Sequence, residues 1–162
     1  MNGDGHIDIV LALSTVVPFR GHWQILYGSP SGDWAPSDMS LIGEGPRSID
    51  AEDYNLDNII DISILDGSTN SLFLLAGMDN GDYTLQTTIM LKGDPVDHLS
   101  LDMNGDGNLD LLIADADNNT VLAYHGNSEG LFTYSTSYPT GDDPRSIIKS
   151  DFNSDGITDI IV

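Results

Sequence analysis

Apolar residues in this chain come in short, nearly unbroken runs and not at helical spacing. Ile7 to Leu13 reads IDIVLAL, Ile60 to Leu65 reads IDISIL, and Leu109 to Ala114 reads LDLLIA. After a turn, each is followed by a second run: WQILYG from Trp23, SLFLLAG from Ser71 and VLAYHG from Val121. Runs of this length, rich in Ile, Leu and Val and bounded by Gly, Asn and Asp, predict strands covered on both faces. A Gly-bearing turn comes next (SPSGDW, MDNGDY, NSEGLF), leading to a more polar, Thr- and Ser-rich stretch such as YSTSY, as an outer strand requires. A Pro-marked turn and a short strand (RSIDAE, VDHLSL, RSIIKS) complete the pattern. No segment sustains a 3.6-residue period over three turns, and Gly and Pro interrupt every candidate helix.

The pattern repeats with a step of 49 residues. Asp53 to Asp61 reads DYNLDNIID, Asp102 to Asp110 reads DMNGDGNLD, and Asp151 to Asp159 reads DFNSDGITD. A fourth copy, MNGDGHID, opens the chain and lacks only the leading Asp. Gly28, Gly77 and Gly126 keep the same step, as do Pro46, Pro95 and Pro144 and the aromatics Trp34, Tyr83 and Phe132. Between Asp8 and Gly28 the first repeat is four residues longer than the others, which places an insertion near residues 14–22. Four short strands per repeat of this length make one blade of a β-propeller, so the predicted fold class is all-β, built of consecutive four-stranded antiparallel blades.

Charge changes the picture from fold to chemistry. The chain has 26 acidic against 5 basic residues in 162, a formal charge of -21. That balance argues against nucleic acid or an anionic membrane as partner, since both need a basic surface, and it invites divalent cations. No run of 18 apolar residues and no basic-then-apolar leader is visible in the sequence. Cysteine is absent, so any staple has to be something other than a disulfide.

The repeated acidic segment has the pattern DxNxDGxxD, with side-chain oxygens at positions 1, 3, 5 and 9. Calcium takes six to eight oxygens at roughly 2.3 to 2.6 Å, and these residue types, with a backbone carbonyl at position 7, supply them. The candidate ligands are Asn2, Asp4, His6 and Asp8; Asp53, Asn55, Asp57, Ile59 and Asp61; Asp102, Asn104, Asp106, Asn108 and Asp110; and Asp151, Asn153, Asp155, Ile157 and Asp159. His6, Ile59, Asn108 and Ile157 stand at the carbonyl position. Gly at position 6 suits a left-handed backbone, and Asn58, its replacement in one copy, is the residue next best suited. Asn-Gly and Asp-Gly also make plain turns, but a turn needs neither the outer Asp nor the Asn at position 3. An EF-hand is excluded: position 12 holds Ile64, Ile113 and Val162 in place of Glu, and flanking helices are missing. Calcium, as the predicted cofactor, then staples a fold that has no cysteine.

No catalytic constellation is present. There is no HExxH, P-loop or cysteine, and Pro30 occupies the nucleophile slot between Gly28 and Gly32. His6, His22, His98 and His125 fall at unrelated repeat positions, which predicts packing or surface roles. Asn118-Asn119-Thr120 is a glycosylation sequon at a predicted turn.

The motifs at Asp53, Asp102 and Asp151, the stretches HGNSEGLF and YPTGDDPRSI, and the DLLIA type of strand resemble FG-GAP or VCBS repeats, the units of the integrin-α-like β-propeller. The resemblance implies that the calcium loop joins the first and second strands of a blade and that about seven blades close a ring. It implies whole blades at 46–91 and 95–140, partial blades at 1–42 and 145–162, and a parent protein whose remaining blades are partners of this piece. It also implies an extracellular or cell-surface recognition or adhesion module with a protein or carbohydrate ligand. The alternative is the non-catalytic propeller of a secreted carbohydrate-active enzyme such as a polysaccharide lyase. The longer loop of the first repeat, STVVPFRGH, then lies on the contact face, with Phe19, Arg20 and Trp23 as candidate anchors.

Overall fold

The structure is a computed structural model that describes residues 2–16 and 19–162, without the side chains of Val16 and Phe19. Regular structure among the described residues is all strand. The first sheet holds β1 (Ile9–Val16), β2 (Phe19–Gly28), β3 (Trp34–Pro36) and β4 (Ser40–Leu41), with both short strands paired to β2. β5 (Pro46–Glu52), β6 (Asp61–Asp66), β7 (Ser71–Gly77) and β8 (Tyr83–Met90) form the second sheet in chain order. The third repeats it with β9 (Pro95–Leu101), β10 (Asp110–Asp115), β11 (Thr120–Gly126) and β12 (Phe132–Pro139). β13 (Ile148–Ser150) and β14 (Asp159–Ile161) form a two-stranded sheet. Every pairing is antiparallel, which is the up-and-down meander of a propeller blade.

The hydrophobic pattern explains each strand's place. All six residues of β6 and of β10 are buried, as expected of strands covered on both faces. The outer strands β8 and β12 alternate or face solvent along most of their length, which accounts for their Thr and Ser. A register shift between Leu74 and Leu75, and another between Ala123 and Tyr124, lets each outer strand twist against its neighbour.

The insertion in the first repeat is not the loop that its sequence predicts. It lengthens a hairpin instead: β1 has 8 residues against 6 in β6, and β2 has 10 against 7 in β7. The ladder continues without a register shift from Ile9↔Leu26 to Val16↔Phe19, through Gly21 opposite Ser14. Residues 17 and 18, part of the predicted contact loop, lie outside the described residues.

The chain divides into two compact units, residues 1–53 with 57–91, and residues 54–56 with 92–162. In the first, Trp23, Ile25, Ile62, Ile64 and Leu75 form the core, with Tyr83 edge-on to Trp23 at 5.2 Å between ring centroids. In the second, Leu99, Leu112, Val121, Ala123 and Ile147 pack together. Asp97 Oδ2 accepts bonds from the Ser146 hydroxyl and the Ile147 amide there, which fastens the segment before β13 to β9.

Candidate metal-binding loops

Residues 102–109 join β9 to β10, and here the acidic motif folds on its own amides. Asp102 Oδ1 accepts from the Gly105 N–H at 2.7 Å and the Asp106 N–H at 3.2 Å, while its Oδ2 accepts from the Gly107 N–H at 2.9 Å. Asn104 Oδ1 takes the Asp106 N–H at 2.8 Å, and Asp106 Oδ1 takes the Asn108 N–H, also at 2.8 Å. The other loops repeat the scheme. Asp53 accepts from the amides of Asp57 and Asn58, and Asp57 accepts from that of Ile59. Asp151 accepts from Asp155 and Gly156, Asn153 from Asp155, and Asp155 from Ile157. In the opening copy Asn2 accepts from Asp4, and Asp4 from His6.

Two left-handed residues per loop turn these amides inward. Position 6 behaves as its chemistry predicts, with φ of 68° at Asn58, 86° at Gly107, 84° at Gly156 and 82° at Gly5. Position 4 is left-handed as well, which the sequence does not announce: Gly3 and Gly105 suit it, but Leu56 (61°) and Ser154 (63°) carry a Cβ into a region that penalises one. The amides also act on the acids. The Asn108 N–H above all, with the Asn104 side chain, holds the Asp106 carboxyl below its ordinary value, and the His6 N–H does the same for Asp4.

Position 9 plays a different part. Asp61 and Asp110 are buried at the start of the central strands. Oδ1 of Asp8, Asp61 and Asp110 accepts the N–H of Gly28, Gly77 and Gly126, at 3.0, 2.9 and 2.9 Å. The other oxygen of Asp110 accepts the Met103 N–H, and that of Asp159 the Phe152 N–H, so each latches its loop. This explains the periodic glycines: a Cβ at Gly28, Gly77 or Gly126 would run into the backbone carbonyl of Ile7, Ile60 or Leu109. Position 9 thus serves the hairpin beside the ligand role that the sequence reading gives it.

The donor types fit calcium, since each full loop offers three carboxylates and a carboxamide within nine residues. Among the described residues, however, no group of three or more His, Asp or Glu side chains gathers around a common metal position. The loops as they stand are closed on their own N–H groups. His125, given a packing or surface role from the sequence, is exposed on β11 beside the third loop, with Nδ1 3.4 Å from Asp110 Oδ1 and 3.5 Å from Asn104 Nδ2.

Sequence reasoning missed a second aspartate at the far end of the same strands. Asp66 closes β6 with no exposure, and its Oδ2 accepts the amides of Glu44 (2.6 Å) and Gly45 (2.8 Å). Its Oδ1 accepts those of Ser68 and Thr69, both at 2.9 Å. Burial pushes this carboxyl up, but the four amides outweigh it and hold the group below its ordinary value. Asp115 closes β10 at the matching place, accepting from the Asp94 and Asn118 amides and from Asn118 Nδ2 at 2.6 Å. The signal was there: Asp66 and Asp115 are also one repeat apart.

Two readings change accordingly. The sequon's Asn118 spends its amide on Asp115, and the hydroxyl of Thr120 is buried without a hydrogen-bond partner, so this tripeptide serves the turn. Trp23 is a core residue at 8% exposure and not an interface anchor; Arg20 is exposed, and the Phe19 side chain lies outside the described residues.

Residues 102–162 match a protein-family model described as an FG-GAP-like repeat. No curated protein is similar enough in sequence to match. Among solved structures, a chain of "Crystal structure of BBS1N in complex with ARL6DN, soaked with lead" is similar, with a TM-score of 0.54 and 19% sequence identity. The likeness covers 88% of this chain and 41% of that one, and it is a likeness of fold.

Proposed function

With an FG-GAP-like repeat over residues 102–162, we propose that the chain is a recognition module of an extracellular or cell-surface protein whose acidic loops bind calcium. One observation carries this reading: side-chain oxygens recur at the same spacing in loops 2–8, 53–61, 102–110 and 151–159, and in each the position-5 carboxylate accepts the position-7 amide, in a chain with 26 acids against 5 bases. A turn alone is complete with one such carboxylate, so the surplus calls for a cation.

Asp102, Asn104, Asp106, Asp110 and the Asn108 carbonyl would hold calcium in the third loop, with Asp53, Asn55, Asp57, Ile59 and Asp61, Asp151, Asn153, Asp155, Ile157 and Asp159, and Asn2, Asp4, His6 and Asp8 as counterparts. Bound calcium supplies charge compensation. The chain's own residues do the rest: position 1 folds the loop by gathering its amides, and position 9 latches the loop to the hairpin behind it. A module so held presents its outer strands and turns to a protein or carbohydrate ligand, with the parent's other blades as its neighbours.

The test is thermal unfolding in about 1 mM calcium and in chelator. The expected gain from calcium is on the order of 10 °C, from several sites acting by mass action. Replacing Asp4, Asp57, Asp106 and Asp155 by Asn together should abolish the gain and leave the midpoint in chelator nearly unmoved. A wild-type midpoint indifferent to chelator, with no calcium retained on equilibrium dialysis, refutes the proposal.

A further inference from the structure

The outer strand of the first sheet is broken, and the break makes a cleft. β3 stops at Pro36 and β4 resumes at Ser40. Between them Ser37 turns inward: its Oγ accepts the Ile25 N–H at 3.0 Å, its own N–H donates to the Ile25 carbonyl at 2.8 Å, and its carbonyl accepts Gln24 Nε2 at 2.7 Å. The corresponding strands β8 and β12 run uninterrupted over 8 residues each. The cavity opened in this way measures about 540 Å³ and lies wholly within the first compact unit. That is ample for a small ligand group.

Its lining has an unusual composition. Trp23, Tyr27 and Tyr83 supply aromatic surface, and the exposed Asp38 and Asp82 supply charge; no Lys, Arg or His takes part. The Trp23 and Tyr83 rings meet edge to face at 79°, and both line the cavity. At 8% exposure Trp23 is set too deep to act as an open stacking platform. The Asp38 carboxylate takes no hydrogen bond or ion pair among the described residues. Asp82 accepts one from Asn80 Nδ2 at 2.7 Å, which fixes it at the edge of the turn before β8. Aromatic faces at an angle with a carboxylate beside them attract alkylated ammonium groups, which are too large and too weakly hydrated to prefer a bare carboxylate or water.

We propose that the cleft between the broken outer strand and β8, walled by Trp23, Tyr27 and Tyr83 and flanked by Asp38 and Asp82, binds a methylated ammonium group. The inference names a ligand class for the recognition module proposed above. It rests on the module acting by binding but not on calcium.

The experiment is an NMR titration of the full chain, following the Trp23 indole N–H with that of Trp34 as an internal control. The probes are choline, Nε-trimethyl-lysine and 3,3-dimethylbutan-1-ol, the last having the shape of choline without its charge. Both cations should shift the Trp23 signal with millimolar affinity, and the tighter of the two identifies the source of the group. The neutral isostere should bind at least about tenfold more weakly. Asp38→Asn, on an exposed side chain with no structural partner, should weaken choline roughly threefold. Equal affinity for the neutral probe overturns the proposal, as does an unmoved Trp23 signal at about 50 mM choline. Running the series in calcium and in chelator separates the two readings, because binding that persists in chelator upholds the cleft even where the calcium proposal fails.

Discussion

The central strands β6 and β10 each begin and end on an aspartate, and the two ends use the same chemistry for different purposes. At the start of β6 and β10, the latch at Asp61 and Asp110 closes an exposed loop that carries two further carboxylates. At the other end, Asp66 and Asp115 stand alone and buried, each accepting amides from its own turn and from the link some twenty residues upstream. A lone buried carboxylate surrounded by N–H groups is a finished structure: its charge is offset by fixed dipoles, and no ion is required. Exposed carboxylates at positions 1 and 5 of one loop are not finished in that sense. Their amide bonds engage both oxygens at position 1 and one at position 5, but leave the mutual repulsion of the carboxylates in place. Burial and multiplicity, and not residue type, separate the structural aspartates from the candidate ligands.

The largest effect should come from the buried end. Asp66→Ala strips the acceptor from the amides of Glu44, Gly45, Ser68 and Thr69 together. Buried donors left unpaired cost about 1–3 kcal/mol each before relaxation, so we expect a loss of about 3 kcal/mol or more in urea unfolding. Asp57→Ala in chelator should cost far less, and equal losses would erase the distinction between the two ends. Acid sharpens the same comparison. The Asp66 carboxyl is held below its ordinary value of 3.8 in the folded chain, so its contribution is complete above that pH and disappears as pH falls through the lower, folded value. Midpoints followed downward from pH 5 should fall more steeply for the wild type than for Asp66→Ala.

A smaller loss should follow from disturbing the latch without touching any acid. In Gly126→Ala the new methyl meets the Leu109 carbonyl, backbone that cannot step aside, and pushes away the amide that Asp110 accepts. The expected cost is about 1–3 kcal/mol, the same with or without calcium. Gly141→Ala is the control, since nothing lies within 4 Å of its added Cβ, and it should be neutral within about 0.5 kcal/mol. A Gly126→Ala protein as stable as that control would show that the latch is slack.

The fold was legible because its signals are local. Continuous runs such as LDLLIA mark strands buried on both faces, Thr-rich stretches mark outer strands, and a step of 49 residues joins them into blades. The acidic loops were legible for the same reason, with all their oxygens inside nine residues. What escaped is what depends on distant chain. Asp66 looks like the polar end of an apolar run until Glu44 and Gly45 arrive beside it, and Trp23 looks like an anchor until Tyr83 packs against it. The insertion near residue 14 was misjudged as a loop because pairing register is a property of two segments and not of either one. The Gly at position 6 announced its left-handed backbone, while position 4 hid the same conformation behind Leu56 and Ser154.

Position 4 supplies the smallest and most discriminating prediction. Leu56 takes a φ of 61° where two of the other three loops place Gly, and it does so half exposed, at 50%. A left-handed backbone costs a residue with a Cβ roughly 1–2 kcal/mol, whereas Gly adopts it freely but gives up more chain entropy on folding, about 0.5–1 kcal/mol. The difference favours Leu56→Gly by about 0.5 kcal/mol, readable as a rise of roughly 2 °C in chelator. The sign is informative. A rise means that strain outweighs what the half-covered side chain contributes by packing, and that this loop, with Asn58 in place of Gly as well, is the least relaxed of the set before any cation binds. A fall means that the Leu56 side chain is held by its surroundings, which would make the second loop a packed element like the buried turn at Asp66 and remove it from the group of loops open to a metal.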